Sequence, residues 1–373
     1  MSKLVFNGNE SPTLGLEVEL GIVDTDAFEL SSSIEQLLAA LSDEESGRYK
    51  PELMQSCIEV NTEVCRDIND VERDLRAKLR KVQDAADARG LALWWGGTHP
   101  FSMWQDQRVT PTERYQDLVD LLQETARRLI TFGLHVHVGV DSGDKAVMIC
   151  DRILEHLPIM LALSASSPFW EGRNSGLQSH RSITMEGLPT AGLPRLMRNW
   201  SEYVWLVNHM VRTGFINTIR EIWWDVRPHH NFGTVELRVC DMPGNLDDVL
   251  AIASLIQCLV EDLSNEIDEG AYQHTCHPMM VRQNKWRAVR FGNQASLVDS
   301  FNYEVKPVSQ IADELVDRLM PMAQELNCTD QLKHVRSIAS GPSWATQQLN
   351  ILEESADPSE IVRRLSQASR IGD

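Results

Sequence analysis

Thr234-Val235-Glu236-Leu237-Arg238-Val239-Cys240-Asp241 alternates between apolar and polar side chains. Successive strand side chains face opposite sides. Val235, Leu237 and Val239 therefore share one face, and Glu236, Arg238 and Cys240 the other. A solvated strand with a chance ion pair would explain one such segment, but the pattern returns three times. In Leu14-Gly15-Leu16-Glu17-Val18-Glu19-Leu20, Glu17 and Glu19 oppose Leu16, Val18 and Leu20. In Ile58-Glu59-Val60-Asn61-Thr62-Glu63-Val64, Glu59, Asn61 and Glu63 oppose Ile58, Val60 and Val64. In Leu134-His135-Val136-His137-Val138-Gly139, both histidines oppose three apolar residues.

A half-buried antiparallel sheet has one face on the core and one face open. Here the open face is a floor of glutamate and histidine. Such charges repel one another unless a cation neutralises them. Carboxylate oxygens suit hard divalent ions, and Mg²⁺ pairs protein carboxylates with substrate phosphates. The expectation is a sheet whose polar face binds metal. Glu52 lies on the approach to the Glu59 strand and can reach the same floor.

The 373 residues suffice for one large or two ordinary domains and a substantial core. A net charge of −19 argues against a nucleic-acid or anionic-membrane surface. Seven scattered cysteines without CxxC pairs read as free thiols in a reducing compartment. Neither a signal segment nor a bilayer-length apolar run is visible, so the expected location is cytoplasmic.

Helical spacing predicts helices near residues 31–41, 67–89, 112–130, 144–162, 202–213, 246–267, 278–291, 307–326, 329–340, 343–354 and 358–370. His156 reads as an incidental surface residue. Residues 164–200 form a Ser-, Gly-, Pro- and Arg-rich stretch too long for an ordinary connector. It reads as a substrate loop, with Arg181 and Arg195 as substrate candidates. Residues 222–228 and the 234–241 strand form a hairpin that brings Arg227 near Arg238. Two guanidiniums beside a carboxylate floor suit a phosphate or carboxylate ligand. Arg282, Lys285, Arg287 and Arg290 give the 278–291 helix a basic stripe, read as a solvated face with nucleotide contact as the alternative. His274-Thr275-Cys276-His277 lacks a second ligand pair and reads as a loop rather than a zinc site. No GxxxxGK[ST], strand-linked GxGxxG or GxSxG is present, so any nucleotide is held by metal and arginine.

Gly15–Glu19, the segment Pro51-Glu52-Leu53-Met54-Gln55-Ser56-Cys57-Ile58-Glu59-Val60-Asn61-Thr62, Gly133–Gly139, and Trp224–Pro228 with Gly233–Asp241 resemble the type 2 glutamate–cysteine ligase family. Within it they are most similar to the carboxylate–amine ligases of the YbdK type. The resemblance implies a single catalytic domain over residues 1–373. It implies an α+β, glutamine-synthetase-like fold: a curved antiparallel sheet with helices packed on one face and the active site on the other. It implies ATP and Mg²⁺ as cofactors, small-molecule carboxylate and amine substrates such as amino acids, and a homodimer. The implied reaction phosphorylates a carboxylate and lets an amine displace the phosphate, with glutamate and cysteine as the default pair. Glu17, Glu52 and Glu59 would hold one metal; Glu19, His137 and Glu236 another, with His135 behind them. Arg238 would meet the transferred phosphoryl group, and Arg227 the phosphates or the carboxylate substrate; Glu59 with both arginines would contact ATP. Two other classes compete: a zinc hydrolase built on His135 and His137, and a non-catalytic nucleotide or metal sensor.

Overall fold

The computed structural model describes residues 4–41, 47–271, 276–299 and 302–372. His274 and Thr275 of the segment read as a loop lie outside the described residues. The following His277 caps a helix, its Nδ1 accepting from the Met279 N–H at 3.2 Å.

The fold is α+β, built on a seven-stranded antiparallel sheet. Its order is Tyr49–Pro51, Cys57–Asn61, Leu14–Asp24, Gly133–Gly139, Thr234–Asp241, Val226–His229, with Leu91–Trp94 on the far end of Leu14–Asp24. All four alternating segments are adjacent strands of this sheet. Their apolar faces, including Val18, Leu20, Val136 and Val235, are fully buried, except that Val64, beyond the end of the Glu59 strand, is exposed. Helices Ile68–Asp87, Leu157–Ser164 and Leu246–Asp268 cover that side. Apolar burial drives this layering, each buried Val or Leu contributing about 1.5–3 kcal/mol. One cluster of buried side chains extends from Leu14 to Ile371.

The Glu59 strand is shorter than its alternation suggested. It ends at Asn61 because the Thr62 hydroxyl accepts the Leu16 N–H at 2.9 Å, replacing a ladder bond by a side chain. Glu63 consequently leaves the floor and pairs with Arg48 at the surface. Asp67 then caps the helix Ile68–Asp87 by accepting the Asp70 N–H.

Two expected long helices are interrupted. The 112–130 segment breaks at Gln123, whose φ is +51°. The 144–162 segment passes through a 3₁₀ turn and restarts at Leu157–Ser164, where Pro158 suits a first turn that needs no N–H. His156, in that turn, is half-buried rather than a surface residue, and burial pulls its pKa down to about 3. The seven cysteines are unpaired and buried. Among the described residues no helix is long and apolar enough to cross a membrane.

The loop after Leu91–Trp94 is organised by His99. Its Nδ1 accepts the N–H groups of Phe101 and Ser102, and its Nε2–H donates to the Phe28 carbonyl. That pattern requires the neutral ring, and burial holds its pKa at about 3. The folded pKa lies below the ordinary 6.5. His99 therefore stabilises fully above that value, and its contribution is lost as pH falls toward 3, by an amount on the order of 5 kcal/mol. His99→Ala is expected to lower the melting temperature markedly at pH 7.5 and progressively less toward pH 4, as read by thermal denaturation. An equal penalty at both pH values would contradict this role.

Candidate active site

The open face of the sheet forms the floor of a cleft of about 370 Å³. Strand register decides which side chains meet. Glu19 lies opposite Glu59, and Glu17 opposite His135. Two clusters result, each with ligand atoms within 4.8 Å of one another: Glu19, Glu52 and Glu59; and Glu17, His135 and Glu236. Glu17 and Glu19 thus exchange the partners expected of them. Glu52 does reach the floor from outside its strand.

In the first cluster each carboxylate is anchored through one oxygen. Glu19 Oε2 accepts the Gly133 N–H at 2.6 Å. Glu59 Oε1 accepts from Asn61 at 2.8 Å and Lys50 at 3.1 Å. Glu52 Oε2 accepts the Leu53 N–H at 3.2 Å. Burial, then the charges of Glu59 and Glu19, push the Glu52 carboxyl well above the usual range. Gly133 is required at its position: a Cβ there would lie 2.2 Å from Arg181 Nη2.

The second cluster is built around buried Glu236. Arg227 lies opposite it in the hairpin register. Arg227 Nε and Nη2 donate to its two oxygens at 2.7 and 3.2 Å, and Arg238 Nη1 donates to Oε1. Burial raises the Glu236 pKa, but these guanidiniums and His137 outweigh it and hold the carboxyl well below its ordinary value. For Glu17 burial is likewise overcome, by the hydrogen bond to His135 and the nearness of His137.

His137 Nδ1 is held by Thr234 Oγ1 at 2.9 Å. Its Nε2 is buried without a hydrogen-bond partner, 3.7 Å from Glu17 Oε1 and 3.9 Å from Glu236 Oε1. Separations of this size exceed a hydrogen bond and leave room for a cation among the three atoms. The orphaned nitrogen and the three crowded glutamates both fit a divalent ion. Glutamate dominates the donor set, which favours a hard ion over zinc.

The arginines divide. Arg238, partly exposed to the cleft, also approaches His135 Nδ1 at 3.4 Å. Arg227 is spent: beyond Glu236, its Nη1 donates to the carbonyls of Ile219 and Ile222 at 2.8 and 2.7 Å. It positions Glu236 rather than meeting a phosphate. Arg181 is buried and donates to the carbonyls of Arg238 and Val239. It fastens the 164–200 loop to the sheet, while it also lines the cleft and its Nε has no hydrogen-bond partner. Asp241, fully buried, completes that fastening by accepting from the hydroxyls of Ser167 and Ser179 at 2.6 and 2.7 Å. Arg195 is exposed and does not line the cleft, so the substrate role expected of it finds no support in its position. In the basic stripe, Lys285 turns inward, and none of the four cations lines the cleft.

Two cleft-lining arginines escaped the sequence reading. Arg114 and Arg220 stand at opposite ends, exposed, and neither makes an ion pair among the described residues. Arg114 adjoins Tyr115, whose hydroxyl reaches Glu52 Oε2 at 3.4 Å, in an end walled by Leu53, Met54 and Leu118. Arg220 follows Ile219, whose carbonyl accepts from the Glu236-bound Arg227, and Trp223 and Phe232 also line the cleft. Helical and turn positions of this kind carry no periodic signal.

Known proteins share this architecture. A glutamate–cysteine ligase family 2 model matches residues 13–367. A Gloeobacter violaceus protein provisionally named glutamate–cysteine ligase 2 is 40% identical over 362 residues, 96% of this chain and 97% of that one. A Frankia casuarinae protein provisionally named glutamate–cysteine ligase 2-1 is 40% identical over 375 residues, 99% of this chain and 98% of that one. Among solved structures, glutamate–cysteine ligase from Francisella tularensis, crystallised with AMP, matches with a TM-score of 0.70 at 13% identity, over 97% of this chain and 90% of that one. A bifunctional glutathione synthetase from Pasteurella multocida matches with a TM-score of 0.73 at 15% identity, over 96% of this chain. The chain spans about half of that larger protein, 52% of its length. The two structural likenesses speak for the fold; the family model and the two sequence relatives, each spanning nearly the whole chain, show that the protein belongs to glutamate–cysteine ligase family 2.

Proposed function

We propose that the protein is an ATP-dependent carboxylate–amine ligase that forms an amide through an acyl phosphate. The observation that carries this is the convergence of two acidic clusters, His137 Nε2 and Arg238 on one open sheet face. Glu19, Glu52 and Glu59 would hold one Mg²⁺; Glu17, Glu236 and His137, with His135 beside them, would hold another. Bound there, the ions would neutralise phosphate oxygens and orient the transferred group. Phosphoryl transfer needs chiefly positioning and electrostatics. Arg238 supplies a fixed guanidinium to the transferring phosphoryl group, and Arg227 keeps Glu236 ionised and in place. The γ-phosphoryl passes from ATP to a substrate carboxylate oxygen, leaving ADP. The amine then attacks the acyl carbon, expelling phosphate and losing a proton.

The cleft ends suggest where each substrate lies. Trp223 and Phe232 suit stacking of a purine. Arg114, amid aliphatic walls, suits a negatively charged group on the carboxylate substrate. The expected result is ADP release only when ATP, Mg²⁺, a carboxylate and an amine are all present, with glutamate and cysteine the first pair to assay. ATP-independent hydrolysis, with a tightly held zinc, would instead favour a hydrolase. Arg114→Ala is expected to raise KM for the carboxylate about 10–100-fold, the effect of losing a charged hydrogen bond, and to leave KM for ATP unchanged. A rise in KM for ATP alone would place the nucleotide at that end.

A further inference from the structure

We propose that Lys285, on the helix Pro278–Phe291, is a positioning residue for Arg238. This goes beyond the ligase reading and rests on it for the role of Arg238.

Lys285 is buried at 3% exposure, whereas Arg282 and Arg290 of the same helix face solvent. Its Nζ donates to Asp225 Oδ2 and to Glu186 Oε1, each at 2.6 Å. Burying an ammonium is costly unless it is paired and hydrogen-bonded. Burial pulls the Lys285 pKa down, but the two carboxylates outweigh it, so the charge is retained.

The two carboxylates belong to the two segments that grip the Arg238 main chain. Asp225 O accepts the Arg238 N–H at 2.8 Å. Glu186 ends the helix His180–Glu186, which carries Arg181, and Arg181 Nη2 donates to Arg238 O at 3.3 Å. Both backbone groups of Arg238 are therefore held by elements that Lys285 ties together. The clamp is needed because Asp225 lies just outside the hairpin ladder, whose last pairs are Val226 with Leu237 and His229 with Thr234. The Asp225 N–H leaves the sheet for the Gly192 carbonyl at 2.9 Å. A small cavity between Arg181, Met185, Trp223, Asp225 and Arg238 gives the strand end room to shift once the clamp is cut.

The test is a double-mutant cycle between Lys285→Met and Arg238→Lys. It is read in kcat and, independently of turnover, in calorimetric binding of tripolyphosphate with Mg²⁺. Beside Arg238, Lys285→Met is expected to lower kcat about 10–100-fold and to weaken tripolyphosphate binding about tenfold, the range of coupling through one network. In the Arg238→Lys background the same change is expected to have less than about threefold effect. Lys285→Arg is expected to recover most of the loss. A merely structural role would give equal losses in both backgrounds, and that additive result, or no loss beside Arg238, overturns the proposal. Should Lys285→Met not fold, Asp225→Asn replaces it in the cycle under the same criteria. A wild-type protein that neither binds tripolyphosphate nor releases ADP sinks the ligase reading and this proposal with it. Binding with an additive cycle sinks this proposal alone.

Discussion

Arg238→Ala is expected to reduce kcat by at least about 10³-fold while the fold survives. Removing one preorganised donor from a developing charge typically costs about 10²–10³-fold, and a full guanidinium on a phosphoryl group costs toward the upper end or beyond. The fold is spared because Arg238 contributes to the cleft wall, not the core. Its side chain bonds Glu236 and approaches His135, and Glu236 keeps its two bonds to Arg227. Thermal denaturation should shift by only a few degrees. Glu236→Gln should also abolish turnover, but with a larger stability loss, because it leaves the buried Arg227 charge without its counter-ion. Wild-type kcat in the Arg238→Ala protein would remove the assignment of the phosphoryl site.

Glu52→Gln is expected to separate stability from function. In the metal-free protein Glu52 sits against Glu59 and Glu19, and burial with these two charges raises its pKa well above the ordinary carboxylate value. Because the folded pKa is raised, its stabilising contribution is present below the unfolded pKa and lost as pH rises through the folded one. Above that window ionised Glu52 weakens the metal-free fold. Glu52→Gln should therefore melt higher than wild type at pH 8 without metal, the gap closing toward pH 4. With Mg²⁺ the order should reverse, since only the intact carboxylate cluster gains binding energy on folding. Turnover should fall about 10²–10³-fold, the scale of losing one electrostatic contact in a phosphoryl-transfer site. A metal-free melting temperature lower than wild type at pH 8, or undiminished Mg²⁺ stabilisation, would show that Glu52 is not part of a metal cluster. Mg²⁺ binding should also release protons, because burial notwithstanding, Glu236 and Glu17 raise the His137 pKa, and a ligating ring must be neutral.

The alternation in Leu14–Leu20, Ile58–Val64, Leu134–Gly139 and Thr234–Asp241 suffices for a sheet with an acidic face, because a period of two leaves each side chain one of two faces. Glu17, Glu19, Glu59, His135, His137, Glu236 and Arg238 were all legible on that ground. Glu52 was legible only through its nearness to the Glu59 strand and the family resemblance. Alternation is silent about register, and register is what sets Glu19 beside Glu59 and Glu17 beside His135. It is equally silent about who satisfies a buried charge. Arg181, Arg195 and Arg227 look alike in the chain, yet two are bound to carbonyls or a carboxylate and one is exposed.

Composition and periodicity thus settle the layers and the chemistry of the floor, since both follow from which residues are apolar and how they are spaced. Only the tertiary structure decides which carboxylates crowd together, which guanidinium stays open to the cleft, and that Lys285 reaches Arg238's neighbours from a distant helix. Those outcomes depend on ångström-scale separations between segments far apart in the chain, where hydrogen-bond geometry and the cost of an unpaired buried charge select one arrangement.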